Sequence, residues 1–141
     1  YMLERIFHKS YRYTAVEIDE EVLYLASKYV VDELNSDIRL ITADAHVFME
    51  MNEQKYDIIC MDIFESDIVP AIFQTEAFLH LLKESLGDES LLIFNRLYQS
   101  KADEAETNKF FSDQFLSVFS EGRAIKVGGN KMLLNDSRYL K

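Results

Sequence analysis

Glycine, proline and cysteine are scarce in this 141-residue chain, and positive charge is in the minority: four glycines, one proline, one cysteine, and 15 Lys and Arg against 25 Asp and Glu. The one cysteine, Cys60, has no partner for a disulfide, so nothing points to an oxidising compartment or to a cysteine-based metal site, and a cytoplasmic location is the default. No apolar stretch approaches the roughly 18 residues of a membrane span, and no signal-peptide pattern opens the chain. A formal net charge of −10 disfavours nucleic acid, whose phosphates demand clustered Lys and Arg. The glycines, Gly87, Gly122, Gly128 and Gly129, all lie late, so no glycine-rich turn exists in the first half. The chain opens on Tyr1 rather than methionine, and the expectation is that it begins inside a longer one.

What is present reads as one globular domain over residues 1–141, since 48% hydrophobic content at this length buries a real core. Strand and helix patterns alternate with short connections, which implies parallel strands joined by helical crossovers. Residues 2–8 read as a helix end and 11–18 as the first strand. Val22, Leu25, Ala26, Tyr29, Val30 and Leu34 then recur at helical spacing, up to a stop at Asn35-Ser36-Asp37. Residues 38–43 form a second strand, 45–51 a short helix and 56–63 a third strand, whose unbroken Ile58-Ile59-Cys60-Met61 run suits a central position buried on both faces. Pro70 lies in a loop over residues 68–72; Phe78, Leu79, Leu81, Leu82 and Leu86 form a helix stopped at Gly87, and residues 90–94 the fourth strand. Ser100 with Asp103 reads as a capping box, and Phe110, Phe111, Phe115, Leu116 and Phe119 line the core face of the last helix. Residues 123–127 and 132–135, separated by Gly128-Gly129-Asn130-Lys131, make a closing hairpin that puts an antiparallel strand into the sheet.

The most informative stretch is Tyr13-Thr14-Ala15-Val16-Glu17-Ile18-Asp19, an apolar strand that ends in acid and runs into an amphipathic helix. A carboxylate at the C-terminal end of a parallel strand can accept two hydrogen bonds from a vicinal diol, as ribose presents. Acids also cap helices and favour their first turn, so the competing reading is that Glu17, Asp19, Glu20 and Glu21 only cap the helix. Asp62, at the end of the third strand, is of a kind that often caps the next turn. His46, with His8 and His80 distant in sequence, shows no ligand spacing; it reads as a surface helix residue, and no metal is assigned.

Over nearly its whole length the chain resembles the Rossmann-like S-adenosylmethionine-dependent methyltransferase superfamily, and within it the spermidine synthase branch. The matching pieces are Val16-Glu17-Ile18-Asp19, Ala43-Asp44-Ala45, Tyr56-Asp57-Ile58-Ile59-Cys60-Met61-Asp62, the stretch from Val69-Pro70 to Ala77-Phe78, and the hairpin around Gly129-Asn130. The resemblance implies an α/β fold, a sheet with helices on both faces and a C-terminal antiparallel hairpin. It implies S-adenosylmethionine or its decarboxylated form as cosubstrate, with Glu17 on the ribose hydroxyls, Ile18 beside it, Asp44 on the adenine amino group and Ala45 against the ring. Asp62 stands where the family keeps its active-site carboxylate, and Glu65 in the place of a second acid. A carboxylate there can orient an amine nucleophile and accept its proton. The implied substrate is a small molecule, a polyamine in the aminopropyl case, and a homodimer stays open. Glu17, Asp44 and Asp62 are then expected along one rim of the sheet.

Two departures qualify this. Ser66 follows Glu65 where the branch has proline, which leaves methyl transfer or another acceptor open. The family's first strand and glycine-rich turn have no counterpart, so a fragment is expected, with two strands missing their shared neighbour and poor cofactor affinity in this stretch alone. A catalytically inactive relative kept for binding or assembly is one alternative. The other is a response-regulator receiver phosphorylated on Asp62, against which stand the absence of a Met-Pro pair after Asp62 and of a late Lys-Pro, and Asn95 or Arg96 ending the fourth strand where a receiver has Ser or Thr.

Overall fold

The computed structural model describes residues 2–139, and the chain divides into two compact units, Tyr1–Met51 and Asn52–Lys141.

The first unit runs α1 (Met2–Arg5), β1 (Arg12–Glu17), α2 (Glu20–Tyr29), β2 (Asp37–Thr42) and α3 (Ala45–Glu50). β1 and β2 pair in parallel, in the register Arg12 to Asp37 through Glu17 to Thr42. Asp19 starts α2 by accepting from the amide of Glu21, and its first-turn acids Glu20 and Glu21 suit the positive end of the helix dipole. The helix faces the sheet through Leu23, its one buried residue, while Val22, Leu25 and Tyr29 of the expected stripe are 49%, 52% and 60% exposed. The stripe is therefore rotated by one position, about 100° of helix. The helix ends at Tyr29, and a 3₁₀ turn over Val31–Glu33 leads to β2. Glu4 of α1 holds the approach to that strand: its carboxylate accepts from the amides of Asn35 and Ser36 at 2.8 and 3.0 Å, the Asn35 side chain at 3.1 Å and the Ser36 hydroxyl at 2.5 Å.

The second unit runs β3 (Tyr56–Met61), α4 (Glu76–Ser85), β4 (Leu86–Leu97), α5 (Lys101–Phe110), a π-helical turn over Phe111–Phe115, α6 (Leu116–Val118), and the hairpin β5 (Arg123–Val127) and β6 (Asn130–Leu134). Its sheet has the order β3-β4-β6-β5, with β3 and β4 parallel and β6 antiparallel to both β4 and β5. The expected hairpin is present, with a tighter turn: Val127 pairs with Asn130, and Gly128 takes the positive φ of 59° that a two-residue connection needs. The core alternates along β4, where Ser90, Leu92, Phe94 and Arg96 are buried. Against them lies an aromatic series: Phe94 to Phe110 at 5.5 Å between ring centroids, Phe110 to Phe115 at 6.4 Å and Phe115 to Phe119 at 5.0 Å. The Ser100–Asp103 capping box is formed.

Two expectations change here. Gly87 does not stop α4; Leu86 is already extended, pairs with Tyr56, and draws Gly87 into a longer β4. The register shift between Tyr56 and Ile58 and a left-handed Glu89, φ 55°, absorb the early start. β3 is also not central among the described residues. It is the end strand of its sheet, with Ile58 43% exposed, because β4 is its one ladder partner.

Those four hydrogen bonds, the Asn35 amide foremost, lower the Glu4 carboxyl from an ordinary 4.5 to about 2. A depressed carboxyl stabilises above its ordinary value, and that contribution fades as pH falls from 4.5 toward about 2. Amide exchange is expected to show Asn35 and Ser36 protected at neutral pH and losing protection over that interval, and Glu4→Gln is expected to weaken it at neutral pH, with the difference from the parent vanishing as pH falls toward 2. Unchanged exchange in the variant contradicts the clamp.

Candidate active site

In the first unit, parallel pairing brings the ends of β1 and β2 to one edge, where the Ala43 amide donates to the Glu17 carbonyl at 3.0 Å. Glu17, half-buried, closes β1, and its Oε1 accepts from the Asp19 amide at 3.0 Å. Ile18 is 68% exposed beside it. Asp44 closes the β2 turn and caps α3, whose first residue is Ala45: Asp44 Oδ1 accepts from the amides of His46 at 2.8 Å and Val47 at 3.1 Å. Local bonds to the backbone, a helix cap in the case of Asp44, thus consume one oxygen of each carboxylate. Glu17 Oε2 and Asp44 Oδ2 have no hydrogen bond among the described residues, so the capping and ligand-binding roles are compatible. His46 is partly buried, not a surface residue, with Nδ1 3.6 Å from Glu50.

In the second unit, Asp62 leaves β3 exposed, and its Oδ1 accepts from the Asn95 side-chain amide at 2.8 Å. Asn95 Oδ1 is buried with no hydrogen-bond partner in the structure. The pair follows from register, since Met61 sits opposite Phe94 and the next residues of both strands therefore meet. Glu65 is exposed and lies in a tight turn, where its amide and carbonyl bond Ile68 at 2.9 and 3.1 Å, and Ser66 takes a φ of 57°. The turn fixes the backbone there and leaves the Glu65 carboxylate facing solvent. Among the described residues no group of three or more His, Cys, Asp or Glu side chains could hold a metal ion, and no helix is long and apolar enough to cross a membrane.

One residue beyond Asn95, Arg96 turns to the opposite, buried face of β4 and is 2% exposed. Its Nη2 donates to Glu106 Oε1 at 3.0 Å and its guanidinium lies 4.7 Å from the Phe110 ring centre. Burial pulls its pKa down and Glu106 pulls it back up. Asn95 and Arg96, which the sequence marks only as standing where a receiver has Ser or Thr, carry polar chemistry of their own. The signal was there, as two adjacent polar residues interrupt the apolar alternation of β4 at its C-terminal end.

No family model matches the chain. A polyamine aminopropyltransferase from Vibrio vulnificus (strain CMCP6) is 31% identical over 126 residues, which is 85% of this chain but 40% of that protein. Human methyltransferase-like protein 13, solved in complex with SAH, superposes with a TM-score of 0.76 at 20% identity, covering 96% of this chain and 64% of that one. A probable spermidine synthase from Corynebacterium glutamicum gives 0.74 at 23% identity, over 87% of this chain and 46% of its own. The chain therefore has the Rossmann-like fold common to these methyltransferases and spermidine synthases, and it spans less than half the length of the curated relative described. The receiver and inactive-relative readings gain no support from these proteins.

Cys60 is exposed and lies two residues before Asp62 on the same side of β3, and desolvation by the chain packed around it together with the Asp62 charge raises its thiol pKa. As the chain's one cysteine it reports on that carboxylate. Asp62→Asn removes the charge, so less of the thiol's ordinary acidity is suppressed and the thiolate fraction rises. Alkylation by iodoacetamide near pH 8 is expected to be faster in the variant; an equal or slower rate contradicts the placement of Asp62 beside Cys60.

Proposed function

We propose that this chain belongs to an enzyme that transfers a group from an S-adenosylmethionine-type cosubstrate to an amine, and that the group is aminopropyl, drawn from decarboxylated S-adenosylmethionine. The observation that carries the reading is the Asp62–Asn95 pair: an exposed carboxylate at the exit of β3, steadied by the side-chain amide of Asn95 at 2.8 Å. An attacking amine brings N–H donors that this carboxylate can accept. Similarity to the Vibrio vulnificus aminopropyltransferase supports the choice of group.

In this scheme Glu17 takes the ribose hydroxyls through its unused oxygen, with Ile18 alongside. Asp44 takes the adenine amino group and the backbone of Ala45 meets the ring. These assignments rest on carboxylates whose remaining acceptors suit donors of that kind. Asp62 holds the amine by its N–H so that the nitrogen lone pair faces the carbon bonded to the sulfonium sulfur. As the C–N bond forms, the C–S bond breaks, its electron pair stays on sulfur, and methylthioadenosine leaves; the proton released by the new ammonium passes to Asp62. Glu65, exposed in its rigid turn, attracts the second, cationic nitrogen of a diamine.

A full-length protein assay with putrescine and decarboxylated S-adenosylmethionine, read by mass spectrometry, is expected to yield the aminopropylated amine and methylthioadenosine. Asp62→Asn is expected to lower kcat by about 10²–10⁴-fold, the usual range for a positioned proton acceptor, with little change in cosubstrate affinity. Methylated product from S-adenosylmethionine instead moves the assignment to methyl transfer. An Asp62→Asn enzyme as fast as the parent removes Asp62 from the chemistry.

A further inference from the structure

β5 closes the sheet of the second unit at the end opposite β3, and among the described residues no strand lies along its outer side. The register decides which backbone groups that edge offers. Val127 and Asn130 flank a two-residue connection, so they bond each other through both N–H and C=O, and Ile125 and Arg123 do the same with Met132 and Leu134. The N–H and C=O of Ala124 and Lys126 therefore point away from β6, and no backbone group among the described residues meets them from the other side.

The side chains at this edge carry one sign. Arg96, Lys131 and Lys126 are successive register partners across β4, β6 and β5, so three cations stand in one row on one face. Like charges directly opposite one another repel. Arg96 has Glu106 at 3.0 Å, but Lys131 Nζ donates to a neutral acceptor, Asn108 Oδ1, and Lys126 Nζ lies 3.8 Å from Glu104, beyond hydrogen-bond distance. Both ammoniums converge on the Tyr98 ring, 5.0 Å from its centre for Lys126 and 4.5 Å for Lys131. Residues 122–135 hold no Asp or Glu, in a chain that has 25 of them.

We propose that the outer edge of β5 takes up an extended, acidic segment of a partner protein as an added strand. Main-chain bonds to Ala124 and Lys126 supply affinity, and side chains at alternate positions supply selectivity. The position that follows Lys126 in the row belongs to the added strand. An Asp or Glu there stands directly opposite Lys126 and gives the row the carboxylate it lacks, a cross-strand pair of the favourable kind. Lys126 is within reach, its side chain being 59% exposed, and the exposed Arg123 puts a second cation on the other face of the same edge. A second copy of β5 is the poorer occupant, because it brings two more cations and no acid to an edge that repels them. β5 and β3 lie at opposite ends of the sheet, so the proposal does not depend on the transfer reading.

The test is residue-resolved amide exchange in the full-length protein with three capped heptapeptides, alternating Val and Glu, Val and Lys, or Pro and Glu. The Val–Glu peptide is expected to slow exchange of the Ala124 and Lys126 amides by about tenfold or more at saturation. Ile125 and Val127, already paired with β6, are expected to stay unchanged. The Val–Lys peptide is expected to protect neither amide. The Pro–Glu peptide, which has the charge but lacks donors at alternate positions, is expected to protect neither and to bind more weakly than Val–Glu. Lys126→Glu is expected to invert the preference between the Glu and Lys peptides. Ala124→Pro removes a donor that makes no bond to β6 and is expected to weaken Val–Glu binding by about fivefold, the worth of one hydrogen bond. Equal affinity for the Val–Glu and Val–Lys peptides, or for Val–Glu and Pro–Glu, overturns the proposal, and so do Ala124 and Lys126 amides that are already protected without peptide.

Discussion

Parallel strand pairing is the constraint on which the chemistry of each unit depends. Parallel partners end at the same edge, so whatever side chain closes one strand meets what closes its neighbour. In the first unit that edge carries Glu17, with Asp44 two residues past its ladder partner Thr42; in the second, Asp62 and Asn95 follow the Met61–Phe94 pair. A one-residue slip in β3 against β4 would send Asn95 to the buried face and Arg96 to Asp62. The polar atoms at these ends are free for ligands because the ladder has stopped and only helix caps compete for them.

The core of the second unit holds that register in place. Leu92, Phe94 and Leu133 pack into a layer with Phe78, Leu79, Leu82, Phe110 and Phe115, all nearly inaccessible to solvent. Arg96 occupies the last inward position of the same row, and a donor left unmet there costs roughly 1–3 kcal/mol. Its stacking on Phe110 and pairing with Glu106 offset part of that cost.

Much of this could be read from sequence because it rests on local rules. The strand ending at Glu17, the caps at Asp44 and Ser100, the phenylalanine face that runs from the end of α5 through the π-helical turn, and the closing hairpin each combine periodicity with a specific terminal residue. What escaped depends on partners distant in sequence. The face of α2 turned by one position because burial follows from which strands the helix covers, and Leu23 rather than Val22 reaches them. Gly87 looked like a helix stop, yet pairing of Leu86 with Tyr56 outweighed the local signal. Glu4 gave no hint of its grip on Asn35 and Ser36, some thirty residues on. Asn95 and Arg96 gain their meaning only from the opposite faces of β4.

The central claim is that the carboxylate closing β1 reads a ribose diol. Calorimetric titration of the full-length protein with methylthioadenosine and with its 2′,3′-dideoxy analogue, each against the parent and Glu17→Gln, isolates that contact. The account predicts that loss of the diol weakens binding to the parent by about tenfold or more, the scale of a hydrogen bond to a charged group, and has almost no effect on the variant. If the parent binds both nucleosides equally, Glu17 does no more than hold the Asp19 amide, and the account fails.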